Sequence, residues 1–292
     1  MTIQDALERA KQLRKTREGS PAARGEREQV VREVPGMQVV GGEPAVAETE
    51  TPASYPDLEQ VEFDEEACQR SRILYSSAQL AEGAGAAAAY RLMRSRVVHR
   101  VKGSNWSRIG ITSPGPGDGK TVTTVNLALS IARDKQRMVY LIDLDMRNPS
   151  VFESVGVHPP RALSQFFTDR VAAERVMFST SVENLVMAGN REAVQGASEL
   201  LASPRLDELL AYIRRRSPGA LTLIDLPPVL STDEALVVAP RIDAMFLVVS
   251  EGVTRRESVA KAVDVLSDFA VAGIIMNRSS EHLGQDYYGY GG

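Results

Sequence analysis

An α/β domain built on a mainly parallel, doubly wound sheet with helices on both faces is the fold class predicted for this chain, and three observations predict it. Short continuous apolar runs, such as Met138-Val139-Tyr140-Leu141-Ile142 and Met245-Phe246-Leu247-Val248-Val249, suit strands covered on both sides. Helical stretches alternate with these runs through the second half of the chain. A further short run, Arg108-Ile109-Gly110-Ile111, leads directly into a glycine-rich turn that opens a helix.

Strands are expected near 107–112, 138–144, 184–188, 220–225, 243–249 and 271–276. The Ala-rich run from Ala84 to Ala89 continues into Tyr90-Arg91-Leu92-Met93-Arg94-Ser95-Arg96 and predicts a helix just ahead of the first core strand. Arg214, Arg215 and Arg216 suit the last turn of a helix, where the dipole favours cations. Trp106 is expected to pack beside the first strand. No internal repeat is present.

Residues 1–70 differ in kind. The first aromatic residue is Tyr55, and Gly, Pro, Glu and Ala dominate from Gly19 to Pro56, so the stretch lacks material for a packed core and reads as largely disordered. The exception is the start, where Ile3, Ala6, Leu7, Ala10 and Leu13 fall at helical spacing; a helix of about 16 residues is marginal alone in water and needs a surface to dock on. The expected organisation is therefore an N-terminal extension over 1–70, a nucleotide-handling domain over 71–280 and a flexible, tyrosine-bearing tail over 281–292.

Composition excludes several functions. A formal charge of −4 on 292 residues gives no electrostatic case for wrapping nucleic acid. Cys68 is the sole cysteine, which with the lack of a secretory leader points to the cytosol. No stretch approaches the roughly 20 apolar residues needed to cross a bilayer. His99, His158 and His282 show no metal-ligand spacing.

The glycine-rich turn is Ile111-Thr112-Ser113-Pro114-Gly115-Pro116-Gly117-Asp118-Gly119-Lys120-Thr121, followed by the apolar helix carrying Val122, Val125, Leu127 and Ile131. Glycines at 115, 117 and 119 permit a tight turn whose N–H groups point inward, and the helix N-terminus adds its dipole, which together hold a polyphosphate. Lys120 can reach the terminal phosphates, and the Thr121 hydroxyl can ligate Mg²⁺. Pro114 stands where the strict G-x-x-x-x-G-K-[ST] pattern has its first glycine.

Two further strands end in acids, Ile142-Asp143-Leu144-Asp145-Met146-Arg147-Asn148-Pro149 and Ile224-Asp225-Leu226-Pro227-Pro228. Carboxyl ends of parallel strands are where ligands bind, so Asp143, Asp145 and Asp225 are expected to converge near Thr121. Two such charges about 4 Å apart repel by roughly 4 kcal/mol at an effective dielectric of 20, and a cluster of this kind calls for a cation. If the strand continued through both, Asp143 and Asp145 would lie on opposite sides of it, and at most one would touch metal.

These motifs resemble the bacterial tyrosine kinases that regulate capsule and exopolysaccharide synthesis, over about residues 85–292. The resemblance rests on the T-S-x-x-P-G-x-G-K-T loop, on the stretch Ile142 to Pro149 matching the family's Walker A′ motif, on Asp225-Leu226-Pro227-Pro228, and on the tail. It implies ATP and Mg²⁺ as cofactors, with Gly115, Pro116, Gly117, Asp118, Gly119, Lys120, Thr121 and Val122 at the nucleotide. It implies catalytic roles for Lys120, Asp143, Asp145 and Asp225, with an A′ aspartate helping to deprotonate tyrosine, and metal contacts for Thr121, Asp143 and Asp225. Asn277, at the end of the last strand beside Arg278, is an adenine-contact candidate. Ser198 to Arg205 is a further family landmark.

The tail Gln285-Asp286-Tyr287-Tyr288-Gly289-Tyr290-Gly291-Gly292 carries three of the chain's eight tyrosines. Tyr287, Tyr288 and Tyr290 are the expected phosphoacceptors, and the ten-residue span from Asn277 gives a flexible reach of roughly 18 Å. The family resemblance also implies a ring-like homo-oligomer, with phosphate passing between subunits, and a separate membrane partner of the chain-length-determinant or polysaccharide co-polymerase kind. Recruitment to the inner face of the cytoplasmic membrane follows. Arg91 and Arg94 match the family's Glu-x-x-Arg-x-x-Arg oligomerisation motif, while Ala88 stands at its glutamate. Two other readings remain open: a Min/Par-type ATPase switch, whose extra loop lysine is here Gly115, and a non-catalytic ATP-binding scaffold of a polysaccharide assembly complex.

Overall fold

The computed structural model describes residue 55 and residues 57–279. Among them an eight-stranded sheet comprises β1 (Gln60–Val61), β2 (Arg108–Thr112), β3 (Val139–Asp143), β4 (Phe178–Thr180), β5 (Leu185–Ala188), β6 (Leu221–Asp225), β7 (Ala244–Ser250) and β8 (Val271–Asn277). The spatial order is β1-β4-β5-β3-β6-β2-β7-β8. Every adjacent pair is parallel except β4 and β5. The six strands expected from apolar runs are present within a residue or two of their predicted limits. β1 and β4, at two and three residues, are too short to give a periodic signal.

Alternation along the strands divides the interior into two layers. Val139 and Leu141 of β3, Ile109 and Ile111 of β2 and Leu221 and Leu223 of β6 face one layer, while Tyr140 and Ile142 of β3 and Ile224 of β6 face the other. On the first face lie α1 (Glu65–Arg70), α2 (Ser77–Glu82), α3 (Ala84–Ser104), α4 (Lys120–Ala132) and α5 (Val151–Ser154). On the second lie α6 (Ser164–Thr168), α7 (Ala197–Ala202), α8 (Pro204–Arg216), α9 (Glu234–Val238) and α10 (Arg256–Val265).

Helix α8 shows how sequence selects a face. Pro204 occupies the first turn, where its missing N–H costs nothing; Leu206, Leu209, Leu210 and Ile213 fall on one stripe and are buried; Arg214, Arg215 and Arg216 close the last turn. Each fully buried leucine contributes about 1.5–3 kcal/mol. Trp106 packs against the layer that includes β2, as expected.

The expected extension over 1–70 ends earlier than the sequence suggested. Leu58, Val61, Phe63, Ala67 and Cys68 are buried, β1 pairs with β4, and Asp64 caps α1 by accepting the Ala67 N–H at 2.6 Å. The next segment is pinned to α4, where the Asn126 carboxamide accepts the Leu74 N–H at 2.8 Å and Arg133 donates to the Leu74 carbonyl at 2.9 Å. Residues 57–70 are thus part of the domain, not a linker. The N-terminal helix expected at 3–13 and the tyrosine tail lie outside the described residues.

Candidate nucleotide site

β6 lies between β3 and β2, so the carboxyl ends of these three strands sit side by side. Asp143 and Asp225, the last residues of β3 and β6, are direct partners across the ladder. The chain from β2 then runs through the glycine-rich turn into α4, which places Lys120 and Thr121 over the same edge.

Gly117 and Gly119 adopt positive φ (81° and 87°), a region that side chains rarely enter. A Cβ on Gly119 would also lie 2.0 Å from the Asn277 side-chain nitrogen. Gly115 does not share this conformation; its N–H donates to the Asp118 carboxylate at 3.1 Å. The other Asp118 oxygen accepts the Thr254 hydroxyl at 2.5 Å, so this buried aspartate folds the loop and ties it to the segment after β7. Pro116 and Gly117 form the exposed tip, and Val122 packs its side chain at the margin of the core. No side chain caps the N-terminus of α4, so its first-turn N–H groups are left to an external anion.

Asn277 reaches the loop and not open solvent: its amide donates to the Asp118 carbonyl at 2.9 Å, while its oxygen accepts the Arg278 N–H at 2.8 Å. Arg278 donates to the Gly117 carbonyl at 3.1 Å. The adenine-contact role expected for Asn277 therefore competes with a loop-bracing one.

Lys120 Nζ lies 2.7 Å from Asp145 and 3.1 Å from Asp225, with little of its side chain exposed. Burial works against its ammonium, but the charges of Asp225, Asp145 and Asp143 outweigh this and hold its pKa above the ordinary lysine value. Thr121 Oγ donates to Asp225 at 2.7 Å and lies 3.0 Å from the Ser150 hydroxyl. Thr124, one turn along α4, donates to the other Asp225 oxygen at 3.0 Å.

Asp143 is differently employed. One oxygen accepts the Asp145 N–H at 3.0 Å, and the other accepts the N–H groups of Ser150 and Val151, each at 3.0 Å. It is fully buried, and burial followed by the Asp225 charge pushes its pKa up to about 7. Burial likewise raises Asp145, against the pull of Lys120. Three backbone N–H groups occupy most of the acceptor capacity of Asp143, which favours a positioning role over the metal contact expected for it. Thr121 and Asp225, with hard oxygens 2.7 Å apart and facing Lys120, do fit Mg²⁺.

β3 ends at Asp143, so the strand does not continue through both acids and the condition for setting Asp143 and Asp145 on opposite sides is not met. Leu144 N–H bonds to the Asp225 carbonyl at 2.9 Å, the chain turns, and Asp145 comes back to Lys120. All three acids thus face one lysine. Ser150, Thr124 and Thr254 escaped sequence reasoning. Thr124 alone had a local signal, lying four residues beyond Lys120 on the same helix face.

The fold and the loop define a phosphate-binding-loop NTPase. A family model described as ParA: NUBPL iron-transfer P-loop NTPase matches residues 106–286, and the chain belongs to that family. Nucleotide binding follows from that membership. The chain is 29% identical over 204 residues to tyrosine-protein kinase YwqD of Bacillus subtilis, covering 68% of this chain and 85% of that protein. It is 26% identical over 185 residues to tyrosine-protein kinase CpsD of Streptococcus pneumoniae, covering 61% and 79%. Tyrosine-protein kinase wzc of Salmonella typhimurium is 28% identical over 186 residues, 62% of this chain but only 26% of that longer protein. Among solved structures, the VpsO kinase domain superposes with a TM-score of 0.61 at 26% identity, covering 68% of this chain and 98% of that one. The BceF tyrosine kinase domain gives 0.59 at 26%, covering 74% and 98%. These likenesses are to bacterial tyrosine kinases and their kinase domains. The septum site-determining protein MinD of Pyrococcus horikoshii, with a TM-score of 0.51 at 22% identity, shares the fold alone.

Proposed function

We propose that the chain is an ATP-dependent, Mg²⁺-requiring protein-tyrosine autokinase whose acceptors are Tyr287, Tyr288 and Tyr290. The observation that carries this reading is Lys120 set between Asp145 and Asp225 at the head of the glycine-rich turn. Phosphoryl transfer asks a protein for position and charge neutralisation more than for covalent chemistry, and these groups supply both.

The phosphates bind the α4 N-terminus and the loop N–H groups, and Lys120 turns from the acids to the terminal phosphate. Its departure frees Asp145 to accept the phenolic proton of the incoming tyrosine. Thr121 and Asp225 would hold Mg²⁺, which when bound neutralises charge on the transferring phosphoryl group. Asp143 serves as a positioning residue, fixing the turn from Asp145 to Val151 through its three backbone contacts.

In the cell we propose that this activity regulates exopolysaccharide or capsule polymerisation and export together with a separate membrane partner. No helix among the described residues is long and apolar enough to cross a membrane. The proposed setting is the inner face of the cytoplasmic membrane, with the N-terminal segment as a docking element and a homo-oligomer delivering tails between subunits. The domain limits proposed are an extension ending near residue 56, a kinase domain to 280 and the tail beyond.

Phosphotyrosine immunoblotting of purified protein with Mg²⁺-ATP tests the reading, with and without the partner's cytosolic portion. Signal is expected from the wild type and lost in Lys120→Met; signal surviving Phe at 287, 288 and 290 together would move the acceptor elsewhere. The ParA-type family match favours a second reading, an ATPase switch. That reading requires ATP hydrolysis with no phosphotyrosine.

A further inference from the structure

At the amino ends of the strands, opposite the nucleotide site, three hydroxyls meet. Tyr140, near the start of β3 and fully buried, lies 2.7 Å from the Ser217 hydroxyl, which precedes β6. Tyr55 hydrogen-bonds the same Ser217 oxygen. The Arg216 guanidinium lies 4.5 Å over the Tyr55 ring and pairs with Asp57. Tyr55 thereby fastens the head of the segment that carries Leu58, Val61 and Phe63 into the core and adds β1 to the edge of β4.

Beyond this cluster the segment is held by a two-residue ladder, Gln60 with Ser179 and Val61 with Thr180, and by the burial of Leu58, Val61 and Phe63, so it leaves the sheet edge only in transient local openings. Tyr55 is half-buried, unlike Tyr140, so its ring leaves with the segment.

We propose that Tyr55 is a further phosphoacceptor, modified in the active site of a second copy of this chain, and that its phosphate keeps the 55–63 segment off the sheet edge. The proposal rests on the tyrosine-kinase reading. Transfer within one subunit while docked is barred by position, because Ser217 lies before the first residue of β6 and Asp225 is its last. In the opened segment, the Tyr55 oxygen attacks the γ-phosphorus of ATP and forms the new O–P bond. The bond to the β,γ-bridging oxygen breaks, ADP leaves with the electron pair, and the phenolic proton passes to the acceptor carboxylate, proposed above to be Asp145. Re-docking is then blocked by volume: a phosphoryl group has no room where the Tyr55 oxygen meets Ser217 and buried Tyr140, and its charge of about −1.5 to −2 could pair with Arg216 only in competition with Asp57.

Full-length protein incubated with Mg²⁺-ATP is digested, and phosphate at Tyr55 and at the tail tyrosines is read by mass spectrometry in the same sample. Isotope-labelled Lys120→Met chains mixed with unlabelled wild type report transfer between copies. The expected result is phosphate on labelled Tyr55, with backbone hydrogen exchange over 57–63 roughly tenfold faster in the modified fraction. Tail phosphate without Tyr55 phosphate overturns this proposal and leaves the kinase reading intact; no phosphotyrosine despite bound ATP overturns both. A variant carrying p-carboxymethylphenylalanine at position 55 tests release without any kinase step. Protection over 57–63 equal to that of Tyr55→Phe would refute the release.

Discussion

The two edges of the sheet, at the amino and the carboxyl ends of its parallel strands, hold carboxylates in opposite ways. At the amino ends, Asp243 accepts the N–H groups of Ser107 and Arg108 at 2.7 and 2.8 Å and the Ser107 hydroxyl at 3.2 Å, and it pairs with the Arg108 guanidinium at 2.8 Å. Burial opposes its charge, but Arg108 and these backbone donors prevail and hold its pKa below the ordinary aspartate value. At the carboxyl ends, Asp145 and Asp225 pair with the single ammonium of Lys120 while Asp143 feels it only as a nearby charge, and the pKa of Asp143 is driven upward instead. One acid with a full set of donors closes a structure. Three acids with one lysine leave negative charge over, and that surplus is what a divalent cation is fitted to answer.

The largest effect that would sharpen the contrast is on catalysis. Lys120→Met should lower autophosphorylation by on the order of 10²–10³-fold, as for loss of one preorganised charge at a transition state, measured by phosphotyrosine yield over time. Gly119→Ala comes next, because it forces a side chain into positive φ and onto Asn277. Backbone strain of about 1–3 kcal/mol at this turn should weaken nucleotide binding by tenfold or more, read by calorimetry. At the other end, Asp243→Asn should cost about 1–3 kcal/mol in denaturant unfolding, while phosphotyrosine per folded molecule stays at the wild-type level. Equal losses of activity from Asp243→Asn and Lys120→Met would break the comparison.

The smallest effect concerns pH. Asp143 is held at about 7 in the folded chain against an ordinary value of 3.8, so the folded state keeps a proton that the unfolded chain has lost. Its contribution to stability is therefore present at low pH and declines as pH rises from the unfolded value through about 7. Cations bind the deprotonated cluster, so Mg²⁺ should raise the thermal midpoint more at pH 8 than at pH 6. An increment that shrinks with rising pH would contradict this.

Much of this was legible beforehand, for reasons that also mark the limits. Buried parallel strands must be continuously apolar, which exposed six of them, and Gly119-Lys120-Thr121 has few uses outside a phosphate loop. Residues 57–70 were misread because Leu58, Val61, Phe63 and Cys68 are spaced among acids and lie far in sequence from β4, their partner. Whether β3 runs on through Asp145 was not legible, because the chain's course beyond Asp143 depends on the Leu144 bond to Asp225, a tertiary contact with no local trace. Gly115 was grouped with two glycines that need positive φ, when the loop there is folded by the Asp118 side chain.

The most direct measurement is calorimetric titration of ATP into the folded chain with Mg²⁺ and again with the metal chelated. If the acids at the strand ends demand a cation, binding with Mg²⁺ is expected to be clear and to weaken by at least about tenfold on chelation, since unscreened phosphate and carboxylate charges then repel. Equal affinity under both conditions, or no binding by well-folded protein, would contradict the account.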